Sequence, residues 1–208
     1  MGRTLSVHTL LEKEYPTYFF SEEWKQTLGN PEKNFKMLIW GASGSGKTSF
    51  SIKLCKYLAM NFGKVYYNSK EQGEGKSLQD VGKFYDLQDC PAGSFMIGDR
   101  DTFPEMVEKL KKNRAKFVVI DSAQYINLTT EQYKLLIAKF PAKAFIIISW
   151  EGAGGAPKGE HVKAIRYMVD IKIYVSNGVA KADSRFGPTQ PHTIFKKQST
   201  QPTQLQLL

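Results

Sequence analysis

Eight consecutive residues, Gly41-Ala42-Ser43-Gly44-Ser45-Gly46-Lys47-Thr48, match the pattern G-x-x-x-x-G-K-[ST] of a loop that wraps a chain of phosphates. Glycines let successive backbone N–H groups turn inward around an anion where a Cβ would obstruct the approach. A helix opening directly after the loop adds the partial positive charge of its N-terminus. The pattern predicts a nucleoside triphosphate site cradled by Gly41 to Thr48 and the following Ser49. Lys47 is expected to reach the β- and γ-phosphates, and the Thr48 hydroxyl to hold Mg²⁺, making ATP and Mg²⁺ the expected ligands.

Two carboxylates could complete the chemistry. The apolar run Phe117-Val118-Val119-Ile120 ends in Asp121, with Ser122 beside it, and a carboxylate at that place can steady Mg²⁺ directly or through water. The run Lys64-Val65-Tyr66-Tyr67-Asn68 leads into Ser69-Lys70-Glu71-Gln72, where Glu71 is placed to polarise the water that attacks a γ-phosphate.

These groups meet only if their runs are strands of one parallel sheet, and the hydrophobic pattern predicts that. Strands over 35–40, 64–68, 94–97, 116–121 and 144–150 alternate with helices over 47–61, 77–85, 102–114 and 129–140. Two of those helices open on capping boxes, Thr102-x-x-Glu105 and Thr129-x-x-Gln132. Such alternation specifies a largely parallel sheet flanked by helices, with ligands at the carboxyl ends of its strands. Before it, Ser21 reads as the N-cap of a helix stopped by Gly29-Asn30-Pro31. After it, the run from Glu151 to Gly159 is too glycine-rich for a regular element and reads as a mobile loop. A short helix over 161–167 and antiparallel strands over 168–176 and 192–196 follow. The domain reading is an N-terminal segment over 1–34 that packs on the core or on a neighbour, an ATPase core over 35–197 and a flexible tail over 198–208.

At 208 residues, 41% hydrophobic and 24% charged, the chain suits one α/β domain and excludes a large multidomain motor. No run approaches the length of a membrane span, and residues 1–6 lack the apolar core of a signal peptide, which points to the cytoplasm and away from membrane partners. Cys55 and Cys90 have no metal-ligand spacing and read as reduced thiols. A net charge of +9 favours polyanionic partners, although lysines such as Lys109, Lys111 and Lys112 also serve simply to complement a helix C-terminus.

The order of phosphate loop, strand-tip glutamate, strand-end aspartate and later basic motif resembles the RecA-like P-loop ATPases, particularly the RadA repair proteins and DnaB-type replicative helicases. It is also similar to the compact RecA-like ATPases of phages and mobile elements. Ser69-Lys70-Glu71-Gln72 resembles the segment carrying the catalytic glutamate, and Ala164 to Tyr174 resembles the RadA stretch ending in "HMVD" plus a strand. Ser184-Arg185-Phe186-Gly187-Pro188-Thr189 is similar to the "KNRFG" and "RxGPTG" segments of those families. The resemblance spans about 34–196. It implies Mg²⁺-dependent, DNA-stimulated ATP hydrolysis in recombination, repair or replication. It also implies self-association into a ring, six-membered by preference, or a filament on DNA, single-stranded by preference, in the cytoplasm of a bacterium or phage host.

In that resemblance Lys47, Glu71 and Asp121 are catalytic, and Arg185 is an arginine finger reaching a neighbouring subunit's γ-phosphate. Lys158, His161, Lys163 and Arg166 fall where RecA-like proteins place DNA-contacting loops, and are expected on DNA phosphates. The sequence departs from the pattern at Asp183, where the families carry a lysine, Lys181 lying two residues earlier, and at Trp150, where they carry a polar Gln or His. Two other readings use the same loop: an ATP-dependent switch acting on a protein partner without DNA, and a small-molecule P-loop kinase, against which the segment 184–189 argues.

Overall fold

The computed structural model describes residues 4–71 and 73–195. Residues 1–3, Gln72 and the segment 196–208, which includes the expected tail, lie outside the described residues.

Among the described residues eight strands form one sheet: β1 (Lys36–Gly41), β2 (Val65–Ser69), β3 (Phe95–Asp99), β4 (Phe117–Asp121), β5 (Ala144–Trp150), β6 (Ile171–Ser176), β7 (Val179–Ser184) and β8 (His192–Thr193). Their spatial order is β3-β2-β4-β5-β1-β6-β7-β8. Strands β1 to β6 run parallel, while β7 is antiparallel to β6 and β8 to β7. The α-helices described beside the sheet are α1 (Val7–Leu11), α2 (Glu22–Leu28), α3 (Lys47–Asn61), α4 (Lys76–Phe84), α5 (Phe103–Lys112), α6 (Thr130–Lys139) and α7 (Glu160–Met168). The expected mainly parallel α/β sheet with antiparallel C-terminal strands is the fold observed.

Alternation along the strands sends successive side chains to opposite faces, and each face has its own core. Met37 and Ile39, Val65 and Tyr67, Phe117 and Val119, and Ile146 and Ile148 pack with Trp24 and Leu28 of α2 and with Phe50, Leu54 and Leu58 of α3. Leu38, Trp40, Val118, Ile120, Phe145 and Ile147 pack with Met106 and Leu110 of α5, Tyr133 and Leu136 of α6, and Val162 and Ile165 of α7. Being buried on both sides, β4 and β5 read as unbroken apolar runs. Helix starts follow their capping chemistry: Thr129 Oγ1 accepts from Gln132 N at 3.1 Å, and Gln132 Oε1 accepts from Thr129 N at 3.0 Å. Ser21 does stand at the start of α2, but its side chain makes no capping hydrogen bond; its backbone N donates instead to Tyr57 Oη at 2.6 Å.

Three expectations need correction. The strand expected over 168–176 is β6, and it is parallel to β1, with Met37 opposite Ile171 and Trp40 opposite Tyr174. Its antiparallel partner is β7, which the alternating polar sequence Val179-Ala180-Lys181-Ala182-Asp183-Ser184 concealed because one face of this outer strand is exposed. The missed signal was Asn177-Gly178, which joins the two strands with φ of 50° and 76°, the backbone of a two-residue hairpin turn. Finally, the glycine-rich run after β5 is a hydrogen-bonded loop. Glu151 bridges to Pro157, Gly152 N donates to Ala156 O at 2.7 Å, and Trp40 Nε1 donates to Gly155 O at 2.9 Å.

Candidate nucleotide site

Strand order makes the site. Because β4 and β5 lie between β2 and β1, the carboxyl edge of the sheet presents Glu71, Asp121, Trp150 and Gly41 in succession, across roughly 14 Å at ordinary strand spacing. Above this edge lies a cleft of 530 Å³ whose walls include Ala42, Ser43, Gly44, Lys47, Thr48, Glu71 and Asp121. The same cleft is lined by Tyr125, Trp150, Glu151 and Lys158.

The phosphate loop has the backbone its sequence requires. Gly44 and Gly46 take φ of 70° and 109°, in the left-handed region that side chains disfavour. A Cβ at Gly41 would lie 2.1 Å from Val175 O, so only glycine lets β1 end against β6 there. Gly46 caps α3 without a side-chain hydrogen bond, leaving the first helical N–H groups to the loop interior. Lys47 Nζ donates to Gly41 O at 2.9 Å and Ala42 O at 2.8 Å, folded onto its own loop. Burial pulls its ammonium below the ordinary value, against the opposing pull of Glu71, Asp121 and Glu151. Ser45 is buried behind the loop, and Ser49 lies in the first turn of α3; neither lines the cleft.

Asp121 is the most constrained group. It is 4% exposed, and Tyr67 Oη donates to its Oδ2 at 2.6 Å. Burial pushes its carboxyl up to about 6, and the Tyr67 hydrogen bond pulls the other way. Glu71 is exposed at the β2 tip, tied to the neighbouring strand through its backbone N, which donates to Asp121 O at 3.1 Å. The residues fit a phosphate-bound divalent cation: Thr48 and Asp121 face one cleft with hard oxygen donors, and the buried Oγ atoms of Ser45 and Ser122 have no hydrogen-bond partner among the described residues.

Several functional positions escaped the sequence reading. Tyr67 is hidden inside an apolar strand, and only its pairing across from β4 shows that it serves Asp121. Glu151 follows the end of β5 and accepts from Tyr174 Oη at 2.9 Å; its position directly after a strand was the available signal. Gln124 is a junction. Its Nε2 donates to Ser149 Oγ and Lys158 O, each at 2.8 Å, and its Oε1 accepts from Trp150 N at 3.2 Å.

The remaining predicted residues go to different places. Arg185 lies at the opposite, amino edge of the sheet, because antiparallel β7 starts beside Ser176 and ends beside Ile171. Its Nη1 is 3.5 Å from Asp170 Oδ1 and its side chain is 62% exposed. Asp183, at the departure from the family pattern, pairs with Lys172 at 3.0 Å. Among the expected DNA contacts, Lys158 lines the nucleotide cleft. His161 Nδ1 accepts from Thr130 N at 3.3 Å, Lys163 pairs with Glu160 at 2.7 Å, and the Arg166 guanidinium lies 5.1 Å from the Trp40 ring centre.

A parallel sheet in this order, with the phosphate loop after its central strand and an antiparallel hairpin beyond β6, defines a RecA-like P-loop NTPase fold. No protein-family model matches the sequence, and no curated protein sequence does. Among solved structures the chain is similar to the ATPase domain of a DnaB-like helicase, with a TM-score of 0.55 and 14% identity, over 77% of this chain and 81% of that one. Among the described residues no helix is long and apolar enough to cross a membrane.

Proposed function

We propose that this chain is an ATPase of the RadA and DnaB type. It hydrolyses ATP at sites shared between head-to-tail copies and couples turnover to binding, movement or remodelling of DNA in recombination, repair or replication. The observation that carries the hydrolytic reading is the convergence of Lys47, Thr48, Glu71 and Asp121 on one cleft at the carboxyl ends of β1, β2 and β4.

In this reading the loop backbone and Lys47 bind and orient the triphosphate, neutralising charge on its outer phosphates. Thr48 and Asp121 would hold Mg²⁺, which when bound withdraws charge from the phosphate oxygens. Glu71 orients a water and takes its proton as the oxygen attacks the γ-phosphorus; ADP leaves and inorganic phosphate forms. Tyr67 keeps Asp121 ionised and aimed.

Placement of Arg185 at the far edge of the sheet supports a shared site. Roughly 15 Å of strand separates that edge from the loop, so Arg185 can serve only a cleft of another copy. Heterologous contacts of this kind close into rings, here taken as hexameric, or continue as filaments. The charge of +9 supports a polyanionic partner, taken as single-stranded DNA, in the cytoplasm of a bacterium or phage host.

The test is ATP hydrolysis measured with and without single-stranded and double-stranded DNA at low and moderate salt. Stimulation that declines with salt is the expected result. Hydrolysis indifferent to both DNA forms at low salt would remove DNA and favour a switch acting on a protein partner. Phosphoryl transfer to a small acceptor in place of water would make the chain a kinase.

A further inference from the structure

Lys158 belongs to the loop after β5, where the family resemblance implies a DNA contact. In the folded chain it lines the cleft with Lys47, Thr48, Glu71 and Asp121. Its backbone is held from two sides. Lys158 N donates to Trp150 O at 2.8 Å, and Gln124 Nε2 donates to Lys158 O at 2.8 Å. These bonds close the short loop opened at Glu151 and bridged at Pro157, so the side chain leaves a pinned backbone.

The ammonium group has an unusual neighbour. Its Nζ lies 5.1 Å from the centre of the Trp150 ring, which also meets the ring of Tyr125 edge-on at 5.3 Å. The ion pairs formed among the described residues do not include Lys158. A cation over an aromatic face gains about 0.5–1 kcal/mol at exposed sites, less than a charge-assisted hydrogen bond to a phosphate oxygen. The ring is therefore a weak holding place from which a phosphate would draw the cation.

Position along the cleft selects the phosphate. Trp150 stands opposite Gly41 in the β1–β5 register, and Glu151 N donates to Gly41 O at 3.1 Å. Gly41 O is also where Lys47 Nζ rests. The cation at Trp150 thus approaches the part of the cleft occupied by Lys47 and the two carboxylates, where the reacting end of a triphosphate must lie if Glu71 is to act on it.

Resting on the nucleotide-binding reading above, we propose that Lys158 is a nucleotide residue of its own subunit, not a DNA contact. Trp150 holds its ammonium group, which transfers to the terminal phosphate of a bound nucleoside triphosphate. It distinguishes triphosphate from diphosphate, and through Gln124 it connects that difference to the segment following β4.

Calorimetric titration with Mg²⁺ and either ADP or a non-hydrolysable ATP analogue tests this on the wild-type chain and on Lys158→Ala, Lys158→Arg and Lys47→Ala. Lys158→Ala is expected to weaken the triphosphate analogue about 10-fold or more while changing ADP by less than about twofold, with Lys158→Arg recovering most of the loss. Equal losses for both nucleotides, or no loss, overturn the assignment. An oligonucleotide titration on the same variants tests the competing role: if Lys158→Ala loses DNA binding and keeps its preference between the nucleotides, Lys158 is a DNA contact. A wild-type chain that binds neither nucleotide overturns the nucleotide reading and this proposal together. If Lys47→Ala loses both ligands but Lys158→Ala loses neither, only the role of Lys158 falls.

Discussion

The two edges of the sheet are built on opposite principles. At the carboxyl edge, Asp121 is buried and bonded to Tyr67, Lys47 is folded onto its loop, and Trp150 is fastened through Gln124. At the amino edge, Arg185 is largely exposed and reaches Asp170 only at 3.5 Å. A prearranged site needs groups locked before the ligand arrives, whereas a group meant for another molecule must stay free to leave its own. One strand joins them: the turn before β7 donates from Gly178 N to Ser45 O at 3.1 Å in the phosphate loop, and β7 ends at the residue before Arg185. The segment around Arg185 is braced by α2 and the turn after it, with Asn30 N donating to Phe186 O at 3.2 Å and Gln190 N to Gln26 O at 2.7 Å.

The hardest test of this contrast is Arg185→Ala, expected to lower turnover by about 10³-fold or more while nucleotide affinity stays within about twofold. Mixing that variant with Glu71→Gln subunits should restore part of the activity, since some interfaces then combine an intact finger with an intact glutamate. No recovery at any ratio would mean that the two edges do not meet between copies.

Glu71→Gln sharpens the carboxyl edge. Turnover is expected to fall about 10²- to 10⁴-fold with ATP binding retained, read by single-turnover hydrolysis beside a binding titration. Unchanged hydrolysis would transfer the water-activating role elsewhere in the cleft, with Glu151 the nearest candidate.

The smallest effect concerns stability. In the metal-free protein the Asp121 carboxyl sits at about 6 against an ordinary 3.8, so the folded state holds a proton that the unfolded chain releases between those values. Stability therefore declines as pH rises from about 4 to about 6, and above that Asp121 carries the full cost of a buried carboxylate. Asp121→Asn should gain roughly 1–3 kcal/mol at pH 7 without Mg²⁺ and flatten that pH dependence, measured by urea unfolding. A less stable Asn variant would show that Asp121 is better compensated than its burial indicates.

Much of the carboxyl edge was legible in one dimension. The phosphate loop is contiguous, its glycines meet a local backbone demand, and β4 and β5 announce themselves as apolar runs because both faces are covered. The hairpin was less legible: β7 alternates small and charged residues, and only the Asn177-Gly178 turn marks it. The direction of β6 was misread because pairing is a relation between distant segments, and the short link to β7 hid its parallel partner β1.

By itself the sequence determined the chemistry of the loop, the alternation of strands and helices, and the carboxylates available at strand ends, all of which depend on neighbours a few residues away. Tertiary structure alone decided the order of strands along the edge. That order sets Tyr67 against Asp121, brings Lys158 from a supposed DNA loop into the nucleotide cleft, and sends Arg185 to the far side. The physical reason is that sheet pairing and face selection are cooperative over the whole chain: which edge a side chain reaches is fixed by the direction of its strand, and no local pattern encodes that direction.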